Sequence, residues 1–213
     1  MRTIKDFLFQ EFSCLMSKYK VSESELKALW LDIESSYCQP CRFYHDLTHI
    51  QDMILALEPV KQEIENYDLV KLAVFYHDII YIVTSKSNEE KSAAFAVKVL
   101  EKIGASDAEI KIVADLILAT KYHKLSQDLA TNYLLDADLH VLGKLDVVYN
   151  CYADNIRKEY GIYPNFLYNP GRKKVLQHFL NQPSVFKTPY FIDKYEKTAQ
   201  ENLQTELNCL CKK

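Results

Sequence analysis

Imidazoles and carboxylates recur along this chain at spacings that a metal ion could use. The segment Tyr44-His45-Asp46-Leu47-Thr48-His49 sets His45 and His49 four apart, so a helix there presents both on one side. Ile50, Met53 and Leu57 share the broad face of His49, which turns it inward; the plainer reading is an exposed pair at a helix start. Phe75-Tyr76-His77-Asp78 places an imidazole beside a carboxylate within an apolar run from Leu69 to Val83. Such groups are costly to bury unless they are paired, neutralised or bound to a metal. A core His–Asp hydrogen bond, or an exposed pair at a helix edge, would satisfy that need more simply. Further along, Asp136 and Asp138 lie two apart, about 200° around a helix. Asp138 groups with Leu135 and Leu142, and Asp136 with His140 and Gly143. Asp138 is therefore the expected inward ligand. Asp136 is expected either to support a ligand or to lie on the surface.

Taken in order, His49, His77, Asp78 and Asp138 offer two imidazoles and two carboxylates. That set suits a first-row divalent ion, Mn, Fe, Co, Ni or Zn, and would also accept Mg. Four protein ligands on an octahedral ion leave positions open for water and substrate. His123 sits at i+3 from Thr120, at the end of the apolar face of its helix. There it can serve as a dipole partner, position a substrate oxygen or relay a proton.

The elements that must carry these residues read as helices throughout. Gly is scarce at 4 and Pro at 6 in 213 residues, a composition suited to an all-α fold. With 48% hydrophobic residues the chain has ample material for one core. Periodicity and capping signals predict helical segments over 3–19, 22–36, 47–57, 66–83, 89–103, 106–123, 131–142, 146–160, 170–181 and 190–211, ten segments that read as some nine helices in one body. No repeat, low-complexity tract or linker is evident, so 1–213 reads as a single domain. A net charge of −3 with mixed signs gives no electrostatic footprint for nucleic acid. No apolar run reaches the roughly 20 residues of a membrane span, and the first residues lack the apolar core of a signal peptide. A cytoplasmic protein is expected. Cys14, Cys38, Cys41, Cys151, Cys209 and Cys211 then read as reduced thiols, and Cys38-Gln39-Pro40-Cys41 lacks the strand context of a redox pair.

With these residues in hand, the chain resembles the HD superfamily of metal-dependent phosphohydrolases, in which a His, an adjacent His-Asp and a distal Asp lie on a helical bundle. His49, His77-Asp78 and Asp138 match that pattern. The likeness is closer to an uncharacterised bacterial branch of predicted HD-superfamily hydrolases. It is carried by Arg42-Phe43-Tyr44-His45-Asp46-Leu47-Thr48-His49-Ile50, Phe75-Tyr76-His77-Asp78, Asn88-Glu89-Glu90-Lys91-Ser92-Ala93, Leu135-Asp136-Ala137-Asp138-Leu139 with Leu142-Gly143, and Ile156-Arg157-Lys158-Glu159-Tyr160. It covers about residues 20–190, leaving a C-terminal helix near 190–211. Asp46 stands where that branch has Asn, and both residues cap helices. The resemblance implies an all-α HD-domain-like bundle, a bound divalent metal and phosphoester hydrolysis. Tyr44-His45-x-x-x-His49 also resembles the metal-site opening of cyclic-nucleotide phosphodiesterases, which makes His45 a candidate proton donor.

The expected activity is hydrolysis of a small phosphate ester or nucleotide by metal-activated water, with Asp78 at the metal and His45 or His123 protonating the leaving group. Arg157, on a face with Ala153 and Tyr160, is the first choice to grip phosphate; Arg42, Lys121, Lys124 and Arg172 follow. Glu89, in the first turn of its helix, is a dipole-favourable residue whose motif context suggests support of the site. Two other readings remain open: a nucleotide or phosphate-metabolite binding module without turnover, and a dinuclear phosphodiesterase or di-iron oxygenase. Tyr195, Leu203, Leu207 and Leu210 would pack the last helix on the core or on a second copy in a homodimer.

Overall fold

The computed structural model describes residues 3–211. Among them are ten α-helices and no strand, so the all-α expectation holds, and each helix overlaps one of the ten segments expected. In order they are α1 (Ile4–Met16), α2 (Glu23–Tyr37), α3 (Leu47–Leu57), α4 (Tyr67–Tyr76), α5 (Asn88–Lys102), α6 (Asp107–Ala119), α7 (Leu129–Leu139), α8 (Asp146–Glu159), α9 (Asn165–Leu180) and α10 (Pro189–Cys211). No helix among the described residues is long and apolar enough to cross a membrane. All six cysteines are free and exposed.

The starts of these helices are written locally. Thr3 with Asp6, Ser22 with Glu25 and Ser106 with Glu109 form reciprocal capping boxes at α1, α2 and α6. Asp46 caps α3, accepting from the N–H groups of Thr48 and His49. The ends are less local. Helix α3 ends at Leu57 as expected, and Pro59 lies in the first turn of the 3₁₀ segment that follows, Glu58–Glu63. Gly104, at φ +76°, occupies the left-handed position that closes the turn after α5. Helix α9 begins five residues earlier than the expected 170 and contains Pro170, which forgoes one i→i−4 hydrogen bond.

The chain divides into two compact units, Met1–Leu134 and Leu135–Lys213, and the division falls within α7. In the first unit α4 packs against α1, α3, α5 and α6. Leu69, Val70 and the whole stretch Leu72–Tyr76 are buried, so the second half of α4 is apolar all round and forms the centre of that core. Phe12 of α1 meets Phe75 edge-on at 5.3 Å between ring centroids. In the second unit α10 lies against α9 and a 3₁₀ turn, His140–Gly143. A Cβ added to Gly143 would fall 2.6 Å from the carbonyl oxygen of Tyr195, so this close approach requires glycine. Tyr195 and Leu203 are buried, and Leu207 and Leu210 are half-buried.

Candidate metal centre

The His77-Asp78 pair is placed by an interrupted helix. The i→i−4 ladder of α4 ends where the His77 N–H meets Ala73 O at 2.8 Å. Beyond it, the Ile79 N–H turns back to Tyr76 O at 3.2 Å, while alternate backbone donors go to side chains: Asp78 N to Tyr37 Oη at 3.2 Å, Ile80 N to Ser92 Oγ at 3.1 Å, and Ile82 N to Asn88 Oδ1 at 3.2 Å. Carbonyls are captured likewise. The Arg42 guanidinium donates to Asp78 O at 2.6 Å and Ile79 O at 3.0 Å. These partners satisfy the backbone better than another turn of helix would. The helix expected to reach Val83 therefore stops at Tyr76, and His77-Asp78 stands in a turn.

His49 and His77 are 2% and 1% exposed. The Nδ1 of His77 lies 2.9 Å from Val74 O. A carbonyl only accepts, so Nδ1 carries a proton, and in the neutral form of the ring the lone pair is then at Nε2. That Nε2 faces Nε2 of His49 at 3.3 Å. Two nitrogens bound to one ion at ~2.1 Å each would be that far apart at an angle of about 100°. Asp78 Oδ2 lies 3.2 Å from His77 Nε2 and 3.9 Å from His45 Nε2. His45 stacks on Tyr81 with centroids 4.2 Å apart. One ligand atom each from His49, His77 and Asp138 lies within 4.8 Å of the other two, so these residues form a group that could hold a metal ion.

Asp138 is half-buried and stands in the group with His49 and His77, as expected of the ligand carboxylate, whereas Asp136 is wholly buried and so does not take the surface position that helix phase also allowed it. The reason is that α7 has no solvent face over this stretch: Asn132 through Ala137 are all buried. Asp136 accepts from the N–H groups of Lys187 and Thr188 and from the Thr188 hydroxyl, all at 2.8–3.0 Å. It thereby ties the segment before α10 to α7. Burial pushes its carboxyl above the usual range, opposed by Thr188 and Lys187.

The remaining residues singled out in the sequence are engaged within the chain. Arg157 donates to Tyr160 O and Tyr163 O and to Asn165 Oδ1, and its guanidinium lies 4.5 Å from the Tyr168 ring centroid. Tyr160 opens a 3₁₀ turn, Tyr160–Ile162. Lys121 pairs with Glu90 and donates to Lys86 O. Arg172 pairs with Glu206. Helix α6 ends at Ala119, so His123 lies in the following turn, half-buried and at φ +47°, rather than on the helix face. Glu89 is half-buried in the first turn of α5. In that same motif Asn88 and Ser92 hold the backbone after Asp78, a role that sequence reasoning missed along with that of Tyr37. Hydrophobic periodicity carries no sign of such bonds.

Comparison with protein-family models, with curated proteins and with solved structures gives no match for this chain.

Proposed function

We propose that this chain is a divalent-metal-dependent phosphohydrolase of the HD type, acting on a small phosphate ester or nucleotide. The observation that carries the reading is the convergence of the His49 and His77 Nε2 atoms, with the His77 tautomer fixed by Val74 O and Asp138 in the same group. Neutral imidazoles with lone pairs aimed at one point, beside carboxylates, are the donor set of a Mn, Fe, Co, Ni, Zn or Mg site. His49, His77, Asp78 and Asp138 would hold the ion. An ion there supplies Lewis acidity, making water acidic and neutralising charge on phosphoryl oxygens.

The chain's own groups do the rest. Asp78 Oδ2 stands 3.9 Å from His45 Nε2, and His45, beside the ligand set, would donate a proton to the leaving alkoxide. Tyr81 fixes the ring plane by stacking on it. General acid help of this kind contributes about 10²–10⁴-fold.

The test is metal content per chain by elemental analysis, on protein purified without chelator, beside His77→Ala, followed by a phosphoester panel with each metal. One equivalent in the parent, lost in the variant, with metal-dependent phosphate release, is the expected result. Two equivalents would favour a dinuclear enzyme. Nucleotide retention without turnover would favour a binding module. Absence of metal after dialysis against each ion would end the reading.

A further inference from the structure

We propose that Arg42 is a positioning residue, a clamp that fixes the His77-Asp78 turn against the loop that carries His45. The sequence makes its side chain a candidate to grip substrate phosphate, but it is 6% exposed and both terminal nitrogens donate to the chain, the Nε alone lacking a partner. One terminal nitrogen, Nη1, bridges His45 O at 3.2 Å and Asp78 O at 2.6 Å, and Nη2 reaches Ile79 O at 3.0 Å. Its guanidinium carbon lies 4.8 Å from the Tyr37 ring centroid and 5.5 Å from that of Tyr81. Both rings belong to the same assembly: Tyr37 Oη accepts from Asp78 N, and Tyr81 stacks on His45.

The consequence is geometric. Two consecutive carbonyls held by one rigid plane fix the orientation of the peptide between Asp78 and Ile79. That peptide follows directly on the Asp78 Cα, so it sets the direction in which the carboxylate leaves the backbone. The third bond ties the His45 carbonyl to the same plane. Lysine offers one nitrogen and no plane, so it cannot hold three carbonyls in this arrangement. Supporting groups of this kind typically change metal affinity about 10–100-fold when lost.

The effect on metal rests on the phosphohydrolase reading above; the clamp itself does not. The experiment therefore has two readouts on full-length parent, Arg42→Lys and Arg42→Met. The first is amide hydrogen exchange over residues 78–82 in metal-free protein. The second is titration with Co²⁺, followed by its visible absorption bands. Arg42→Met should exchange faster in that segment alone, bind Co²⁺ about 10–100-fold more weakly and shift the bands. Arg42→Lys should fall between it and the parent. Unchanged exchange in Arg42→Met overturns the clamp. Faster exchange with parent-like affinity and bands overturns the positioning role. A parent that binds no Co²⁺ removes the metal reading, and exchange alone then decides the clamp. Should Arg42→Met not fold, Arg42→Lys and Tyr37→Phe carry both readouts, and parent-like values in both overturn the proposal.

Discussion

Two buried polar clusters in this protein are built on opposite plans. In the second unit, Arg172 donates to both carboxylate oxygens of Glu206 at 2.8 and 2.9 Å and to Tyr152 Oη at 3.3 Å, while the Tyr149 hydroxyl donates to Glu206 Oε2 at 2.6 Å. Donors and acceptors alternate, and the cluster closes on itself. In the first unit, His49 and His77 turn ring nitrogens toward each other at 3.3 Å, with a carboxylate oxygen of Asp78 3.2 Å from the second ring. There two imidazole nitrogens and a carboxylate oxygen converge on one region. The closed cluster is what a folded core requires of buried charge. The convergent one is a poor way to stabilise a fold and a good way to hold a cation. Arg172, which by residue type alone was a phosphate-binding candidate, belongs to the first plan.

The comparison is broken or sharpened most strongly at Arg172. Arg172→Met leaves the Glu206 carboxylate buried without its cation and should cost about 3–5 kcal/mol, read as a lower urea midpoint. The parent should show the matching acid limb. Burial alone would raise the Glu206 pKa, but the Arg172 hydrogen bonds and charge, with Tyr149, hold it below its ordinary value of 4.5. A carboxyl lowered in the folded state stabilises fully above its unfolded pKa, and that stabilisation is lost as pH falls through the folded pKa. Parent stability should therefore fall below pH ~4.5, and this limb should flatten in Arg172→Met. A midpoint unmoved by the substitution would mean that the closed cluster is not structural.

A smaller effect is expected at the convergent cluster. In metal-free protein, His77→Leu should cost no more than about 1–2 kcal/mol, because it removes one backbone hydrogen bond and keeps most of the buried volume. Metal at 100 times its dissociation constant should then stabilise the parent by about 2.7 kcal/mol and the variant by nothing measurable. A metal-free cost as large as that of Arg172→Met would make the two histidines a structural pair.

The smallest effect concerns the cap that starts the helix of His49. Asp46→Ala removes the acceptor for the Thr48 and His49 N–H groups and should cost about 1 kcal/mol of stability in a urea titration. Metal affinity should fall with it only if the first turn of α3 also sets the His49 ring. A drop in affinity larger than the drop in stability would show that it does.

Much of the fold was legible because its signals are short-range. Ser22 with Glu25, and Ser106 with Glu109, announce two helix starts within four residues. Asp46 announces the start of α3 in the same way. The four-residue spacing of His45 and His49, and the apolar run around His77-Asp78, named the residues of the candidate centre in advance. What stayed hidden depends on partners distant in the chain. Helix α4 stops at Tyr76 because Tyr37 and Arg42, 41 and 36 residues away, take the N–H and carbonyl of Asp78. Asp136 is buried because the segment before α10, 51 residues on, supplies its donors and because α7 has no wet side there, which helix phase alone does not reveal. His123 leaves its helix for a left-handed turn for which the apolar periodicity gave no sign. Sequence by itself determined which residues could cap, which could ligate and which faces are apolar, since those follow from side-chain chemistry and helical period. Only the tertiary structure decided where a helix must end and that Asp136 is buried as well. A buried N–H or C=O takes whatever partner the fold brings within 3 Å or so, and that partner need not be near in sequence.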